Sequence, residues 1–108
     1  MPNLKSSTIE KIAKRDGRVV PFDVSKIYVA VNKALAAVGD NDLSKAERVT
    51  NDVIGILEIT CRQGRVPDVE EVQDLVEKML IQNGYADAAK AYILYREQHA
   101  RIRDGKKL

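Results

Sequence analysis

The sequence contains few of the residues on which common catalytic and metal sites depend. Its 108 residues include one cysteine, Cys61, and one histidine, His99. A single cysteine excludes an internal disulfide and a cysteine metal cluster, and we expect Cys61 to fill core space as a small hydrophobe. No G-x-x-x-x-G-K-[ST] or G-x-G-x-x-G run occurs. No pair of carboxylates stands out as a general acid and base, so the sequence predicts no catalytic residue and no metal site.

Long apolar runs are also missing. No segment approaches the ~20 residues that a membrane helix needs, and the opening MPNLKSSTIE lacks the hydrophobic stretch of a signal peptide. With 44% hydrophobic and 31% charged residues, the composition is typical of a soluble globular protein. We therefore expect one domain in the cytoplasm, with no membrane partner.

Positive charge is concentrated at the two ends of the chain. Residues 1–33 contain seven basic and three acidic residues, residues 34–95 six and eleven, and residues 96–108 five and two. If the two ends meet in the fold, they form one positive surface that attracts an anion. If they do not meet, they are ordinary solvated termini. Charge alone leaves both interpretations open.

The pattern of apolar residues and turns predicts an α+β fold, in which a small β-hairpin sheet packs on a four-helix bundle. Asp16-Gly17 between two β-prone runs is typical of a hairpin turn. The segment RVPD, residues 65–68, could add a short third strand. A hairpin alone is marginal in water, so we expect it to pack on the helices.

Four apolar stripes at helical spacing follow the hairpin. Asp23 is predicted to cap the first helix. Capping-box spacing predicts the starts of the second and third helices, at Ser44 with Glu47 and at Asp68 with Glu71. The fourth helix is predicted from about residue 86 to residue 103. These elements predict a flexible leader over residues 1–9, one domain over 10–103 and a C-terminal tail over 104–108.

Two cations, Lys14 and Arg15, lie on the predicted hairpin turn. The next helix begins near Asp23, and its N-terminus offers free N–H donors and partial positive charge. Lys26 lies in the first turn of that helix, where a lysine opposes the helix dipole. A phosphate docked between turn and helix would explain the three positions. A solvated hairpin followed by a solvated lysine would explain them as well.

The string Ile12-x-Lys14-Arg15-Asp16-Gly17, followed by Pro21-Phe22-Asp23-x-x-Lys26-Ile27, resembles the opening of the ATP-cone domain. The later segments VEEVQDLVEKML (69–80) and AKAYILYRE (89–97) resemble the third and fourth helices of that domain. The short K-R-D-G string is not specific by itself. Its combination with the spaced Phe-Asp-x-x-Lys-Ile string and the two helices is specific, and the resemblance covers about residues 10–97.

The resemblance implies an allosteric domain that binds ATP or dATP with Mg²⁺ and regulates the overall activity of a ribonucleotide reductase through oligomer changes. It implies three partners: the nucleotide effector, a catalytic domain or subunit of the reductase, and a homo-oligomer that depends on the nucleotide. The domain itself would not be an enzyme. The ending YILYREQHARIRD suggests the anaerobic reductase class. ATP-cones also occur in a repressor behind a zinc ribbon, for which this chain lacks the cysteines.

By the same resemblance, ten positions would contact the nucleotide: Ile12, Lys14, Arg15, Asp16, Gly17, Asp23, Lys26, Ile27, Val66 and Glu70. Lys14, Arg15 and Lys26 would hold the phosphates. Asp23 would accept a hydrogen bond from the adenine amino group, and Ile27 would pack on the adenine. Val66 and Glu70 fall at sugar-side positions, where Glu70 could hold a hydroxyl or a hydrated Mg²⁺.

An alternative function is a helical module whose basic patch binds nucleic acid or protein without sensing nucleotides. The basic ending RIRDGKKL is compatible with it. No helix rich in Arg, Lys, Asn or Gln follows a short turn, as a recognition helix would, so nucleic acid is the less favoured partner. An independent ATP-hydrolysing enzyme would need a Walker lysine or a catalytic base, and the sequence shows neither.

Overall fold

The computed structural model describes residues 3–103, which form a two-stranded antiparallel sheet followed by four α-helices. The elements are β1 (Lys11–Ala13), β2 (Val19–Pro21), α1 (Val24–Ala37), α2 (Leu43–Thr60), α3 (Val69–Gln82) and α4 (Ala86–Arg103), with a short 3₁₀ turn (Arg62–Gly64) before α3. The α+β prediction is confirmed. The tail predicted over 104–108 lies outside the described residues.

The hairpin forms at the predicted Asp-Gly turn. Ile12 faces Val20 in the register, and the Lys14 amide donates to the Arg18 carbonyl over 2.7 Å. Gly17 has a φ of +88°, a left-handed conformation that glycine adopts without steric cost. The hydrogen bonds of the turn therefore fix the position of the Lys14 backbone.

The segment 65–68 does not form the third strand that the sequence allowed. The Ala13 amide donates to the Pro67 carbonyl over 2.9 Å, and Ala13 forms a single parallel bridge with Asp68. Pro67 has no N–H to donate, and Asp68 already caps α3, so the pairing stops after one bridge. The sheet therefore has two strands, and a single bridge connects it to the start of α3.

An aspartate caps each of the first three helices, namely Asp23, Asp42 and Asp68. The prediction for α2 was wrong, because Asp42 rather than Ser44 is the cap. The Asp42 carboxylate accepts from the Ser44 amide over 3.0 Å and from the Ser44 hydroxyl over 2.6 Å. The helix therefore begins one residue before the predicted cap.

The start of α3 uses only half of the predicted capping box. Asp68 accepts a hydrogen bond from the Glu71 amide over 2.8 Å. The Glu71 carboxylate, however, binds the Arg65 guanidinium through two contacts of 2.9 and 2.6 Å. Arg65 also donates to the Thr60 carbonyl at the end of α2 over 3.1 Å. This arginine thus joins the end of α2 to the first turn of α3.

The four helices pack in a ring, in which α1 and α3 each contact both α2 and α4. The centre of the ring contains fully buried aliphatic side chains, including Leu35, Ile54, Leu57 and Leu80. Ile12 and Phe22 of the hairpin region are partly buried against this core. None of the helices described within residues 3–103 combines the length and apolar content needed to cross a membrane.

The segment before β1 lies along α2. The Asn51 side chain accepts from the Lys5 amide over 2.8 Å and donates to the Asn3 carbonyl over 3.1 Å. Farther along α2, Glu58 accepts from the amide and hydroxyl of Thr8, each over 3.3 Å. The flexibility expected of residues 1–9 stays a prediction, and residues 1 and 2 lie outside the described part of the chain.

Candidate functional site

A cavity of about 330 Å³ opens where the hairpin meets α1, α3 and α4, and we call it the hairpin cavity. The hairpin and its exit contribute Ile12, Lys14, Val20, Pro21 and Phe22 to the wall. Ile12 of β1 and Lys14, the residue after the end of β1, both line this cavity. The hairpin thus supplies apolar side chains and one ammonium group to the same space.

The first two turns of α1 supply charge of both signs to the hairpin cavity. Lys26 and the cap residue Asp23 line it together with Ile27 and Ala30. Within residues 3–103, no carboxylate forms an ion pair with Lys14 or Lys26. Two ammonium groups are therefore available to an anion in this cavity.

Asp23 is an ionised hydrogen-bond acceptor at this site. Its Oδ1 atom accepts from the Ser25 amide over 3.0 Å and from the Ser25 hydroxyl over 2.6 Å. These hydrogen bonds, the hydroxyl first, hold the pKa of Asp23 below its ordinary value. The carboxylate therefore keeps its charge at neutral pH, and its Oδ2 atom has no partner among the described residues.

Aromatic rings of α4 form the opposite wall of the cavity. Tyr92, Tyr95 and His99 lie on one face of the helix. The ring centroids of Tyr92 and Tyr95 are 6.1 Å apart, and those of Tyr95 and His99 are 4.1 Å apart. Burial raises the pKa of Tyr92, so its hydroxyl stays protonated. Such a wall suits a flat ring, while the ammonium groups suit an anionic group.

The structure brings five of the ten predicted positions together in the hairpin cavity. They are Ile12, Lys14, Asp23, Lys26 and Ile27. Two of them are cations, one is a carboxylate and two are aliphatic. This combination matches the roles that the resemblance implied for phosphate and base, although those roles themselves stay predictions.

The other positions on the turn do not line the cavity. Arg15 binds Glu70, with 3.2 Å between Nε and Oε1. Asp16 accepts from the backbone and side chain of Arg18 over 3.0 and 2.7 Å, which keeps the turn closed. Gly17 supplies the left-handed backbone of the turn. Arg15 and Glu70 thus neutralise each other next to the site.

Val66 lies in a different place, a second cavity of about 470 Å³ that we call the loop cavity. This cavity is bounded by the segment before β1, the end of α2 and the loop before α3, and its lining includes Lys11, Glu58, Cys61 and Arg62. Cys61 is buried and its thiol is free. No group of three His, Cys, Asp or Glu residues in the described chain is arranged to hold a metal ion.

The sequence did not identify five polar or aromatic residues of the hairpin cavity as site residues: Phe22, Gln73, Tyr92, Tyr95 and His99. The three α4 residues are spaced i, i+3 and i+7, a periodicity that indicates an inner helix face but does not separate a core from a site. Gln73 has no comparable pattern, because its position depends on how α3 packs against α4.

Comparison with known proteins places this arrangement in a family. A sequence model of the ATP cone domain matches residues 10–101. Relatives include a vitamin B12-dependent ribonucleoside-diphosphate reductase of Thermoplasma acidophilum, 40% identical over 93% of this chain and 13% of the relative. The alpha subunit of ribonucleoside-diphosphate reductase of Chlamydia trachomatis is 38% identical over 88% of this chain and 10% of its own length.

A third relative, the anaerobic ribonucleoside-triphosphate reductase of Haemophilus influenzae, is 32% identical over 86% of this chain and 13% of its own length. The chain thus spans about an eighth or less of the curated relatives described here. The family match covers the hairpin, the first three helices, α4 up to residue 101 and the hairpin cavity. The chain therefore belongs to the ATP cone domain family.

Proposed function

We propose that this chain binds ATP or dATP in the hairpin cavity and that the bound nucleotide regulates the overall activity of a ribonucleotide reductase. The ATP cone match supports the nucleotide, and the names of the relatives support the reductase. The observation that carries the proposal is that one cavity contains an apolar, aromatic wall and two lysines with which no carboxylate of residues 3–103 forms an ion pair. Those two surfaces are what a nucleoside triphosphate requires.

The phosphates lie on the side of Lys14 and Lys26. Ammonium groups make charge-assisted hydrogen bonds to phosphate oxygens, which are stronger than neutral ones. Arg15 adds a third cation when it exchanges Glu70 for a phosphate. Mg²⁺ enters with the nucleotide, since it prefers phosphate oxygens and water to an all-protein cage.

The base lies on the apolar side of the cavity. Ile27 and Ile12 pack against one of its faces, and the rings of Tyr95 and His99 offer a stacking surface. The Asp23 carboxylate accepts a hydrogen bond from the exocyclic amino group, through the oxygen that Ser25 does not use. This arrangement assigns the five cavity residues predicted from the sequence to base and phosphate recognition.

Regulation follows from a coupling free energy between nucleotide binding and subunit association. A nucleotide that binds one oligomeric form more tightly shifts the population toward that form. The partners are the catalytic domain or subunit of the reductase and a second copy of the chain, in the cytoplasm. The relatives belong to three kinds of reductase, so the anaerobic class stays a prediction.

The decisive experiment is calorimetric titration of the purified chain with ATP and with dATP, each with Mg²⁺, while light scattering follows the mass. We expect saturable binding of both nucleotides and a mass change that differs between them. A protein that binds neither nucleotide would contradict the proposal. Addition of duplex DNA tests the alternative function, because a basic module would bind DNA with a steep salt dependence and release it on addition of ATP.

A further inference from the structure

Gln73 lines the hairpin cavity from α3, and its side-chain amide is held from behind by Arg96 of α4. The Arg96 Nε atom donates to the Gln73 Oε1 atom over 3.0 Å. A guanidinium group has donors and no acceptor, so the atom that faces it must be the oxygen. The NH₂ group of Gln73 is left for the cavity, and no hydrogen bond holds it among residues 3–103.

Arg96 is itself fixed in position by carboxylates of α3. Its Nη1 atom donates to Asp74 Oδ1 over 3.0 Å and also binds the Glu77 carboxylate. The Arg96 side chain is only 16% exposed. With three acceptors on one helix, the guanidinium has little freedom to turn. Rotation of the Gln73 amide would place its NH₂ group against these donors, so the orientation of the amide is determined.

The surroundings of Gln73 indicate which part of a ligand it meets. Val69 and Val72, from the same helix, and Tyr92 of α4 line the cavity beside it. A charged phosphate gains nothing from such neighbours, whereas an uncharged aromatic base is stabilised by contact with them. These neighbours favour the nucleoside part of the ligand as the source of the acceptor that meets the Gln73 amide.

We infer that Gln73 donates a hydrogen bond to a ring nitrogen of adenine and that Arg96 is the positioning residue that keeps it a donor. The inference rests on the proposed function and extends it to base selection. Asp23 offers an acceptor and Gln73 a donor in the same cavity. Adenine has an amino donor and ring-nitrogen acceptors, whereas guanine carries a carbonyl oxygen where adenine has the amino group. The pair therefore selects adenine over guanine.

The test compares variants and ligands by calorimetry on the whole chain. The variants are Gln73→Leu, which removes the amide, and Gln73→Glu, which keeps the contact with Arg96 but removes the donor. Gln82→Leu, on the exposed end of the same helix, is the matched control. The ligands are ATP, dATP, GTP and three ATP analogues that lack N1, N3 or N7. Circular dichroism checks that each variant is folded.

We expect both Gln73 variants to weaken ATP binding roughly 2- to 12-fold, the usual effect of one neutral hydrogen bond. One of the three analogues should bind the wild-type chain with a similar loss. The Gln73→Leu variant should bind that analogue as tightly as the wild type does, because the missing ring nitrogen and the missing amide remove the same hydrogen bond. Gln82→Leu should bind every ligand as the wild type does.

The Arg96→Met variant tests whether Arg96 holds the Gln73 amide in the orientation that donates. Without the guanidinium, the Gln73 amide can turn and either donate or accept. The ratio of the affinities for ATP and GTP should then fall. If Arg96 only stabilised the fold, the variant would lose affinity for both nucleotides by the same factor. An unchanged ratio of the two affinities would contradict the positioning role of Arg96.

Three results would overturn the assignment to the base. Gln73 variants that bind ATP as tightly as the wild type would remove Gln73 from the site. A loss for ATP with none for dATP would place the acceptor at the ribose 2′-hydroxyl. If the wild-type chain lost the same affinity for all three analogues, Gln73 would not bind one particular ring nitrogen. A wild-type chain that binds neither ATP nor dATP would instead overturn the proposed function, and this inference with it.

Discussion

The hairpin cavity and the loop cavity flank the same short strand, yet their polar groups are arranged differently. Lys11 lines the loop cavity, whereas Ile12 and Lys14 line the hairpin cavity. In the loop cavity, Arg65 is bound to Glu71 and Glu58 to Thr8, whereas Lys11 and Arg62 form no ion pair within residues 3–103. In the hairpin cavity, both lysines are free of carboxylates among the described residues.

The difference shows that the chemistry of the cavity wall indicates a ligand site better than the cavity volume does. The loop cavity has the larger volume, about 470 Å³ against 330 Å³. The described lining of the loop cavity, however, contains two carboxylates, Glu10 and Glu58, and no aromatic residue, so it offers an anion negative charge and a base no stacking surface. The hairpin cavity combines two lysines with the rings of Tyr92, Tyr95 and His99. Four predictions test this contrast, beginning with the largest effect.

Lys14→Ala should weaken ATP binding by roughly 1.5 to 3 kcal/mol, the contribution of a hydrogen bond to a charged group. Lys11→Ala is the matched control, because Lys11 begins the strand that leads to Lys14 but lines the loop cavity. We expect the control to bind ATP within about twofold of the wild type, since it is not in the site. Calorimetry measures the ATP affinity of both variants. An equal loss in the two would contradict the placement of the nucleotide in the hairpin cavity rather than the loop cavity.

Acid should weaken the region of the loop cavity through Glu71. The hydrogen bond from Arg65 holds the pKa of Glu71 below its ordinary value of 4.5. A carboxyl group whose pKa is lowered by folding stabilises the fold above its ordinary pKa, and this contribution is lost as the pH falls through the lowered value. The free energy of unfolding should therefore fall below about pH 4.5, in part through this pair.

Glu71→Gln provides the comparison. The variant should be less stable than the wild type at pH 7, by no more than about 1 kcal/mol, because the pair is partly exposed. The difference between the two proteins should shrink as the pH falls toward 3. Urea unfolding at several pH values measures both proteins, and a constant difference across the range would exclude this role for Glu71.

Glu70→Gln should strengthen nucleotide binding by roughly two- to fivefold, because a partly exposed ion pair is worth at most about 1 kcal/mol. The change frees Arg15 from its present partner and removes a negative charge next to the phosphates. Asp87→Gln, in the first turn of α4 and outside the hairpin cavity, is the control for a simple change of net charge. Weaker ATP binding by Glu70→Gln would show instead that Glu70 contacts the nucleotide or its metal.

Val66→Ala should leave ATP binding within about twofold of the wild type, as expected for a partly exposed residue outside the site. Val20→Ala, the same change in the wall of the hairpin cavity, should weaken binding by a few tenths to 1 kcal/mol through lost apolar contact. Calorimetry compares the pair. A larger loss for Val66→Ala would extend the nucleotide site to the loop before α3, as the sequence suggested.

Much of the fold was predictable because local chemistry determines it. The Asp-Gly turn requires a left-handed glycine, and aspartates at Asp23 and Asp68 satisfy free amides at helix starts. The apolar stripes of four helices have to be buried together. At α2 two suitable caps were close in sequence, and the structure uses Asp42, whose carboxylate accepts both from the amide and from the hydroxyl of Ser44.

The site was only partly predictable, because tertiary contacts decide which side chains stay available. Lys14 and Arg15 are neighbours with the same charge, but a partner 55 residues away occupies Arg15. Gln63, with a φ of 69°, helps the loop before α3 turn so that Val66 faces the loop cavity. Gln73 becomes a directed donor only through Arg96. No local sequence pattern predicts the pairing of Arg15, the direction of Val66 or the orientation of the Gln73 amide.

The small size of the hairpin has a thermodynamic consequence for the whole domain. Two strands of three residues, with one bridge to the segment before α3, make a sheet that would not persist by itself in water. Segments with few buried contacts open locally before the rest of the protein unfolds. A nucleotide in the hairpin cavity lies between this sheet and the helices, so it closes the part of the fold that opens first.

Occupancy of the site is then linked to the stability of the hairpin, which rises with RT ln(1 + [L]/Kd) for a ligand that binds only the closed form. On the proposed function, amide hydrogen exchange in residues 11–21 should slow as nucleotide is added, until the site is saturated. The effector would then act on the order of β1 and β2, the elements next to which it is proposed to bind.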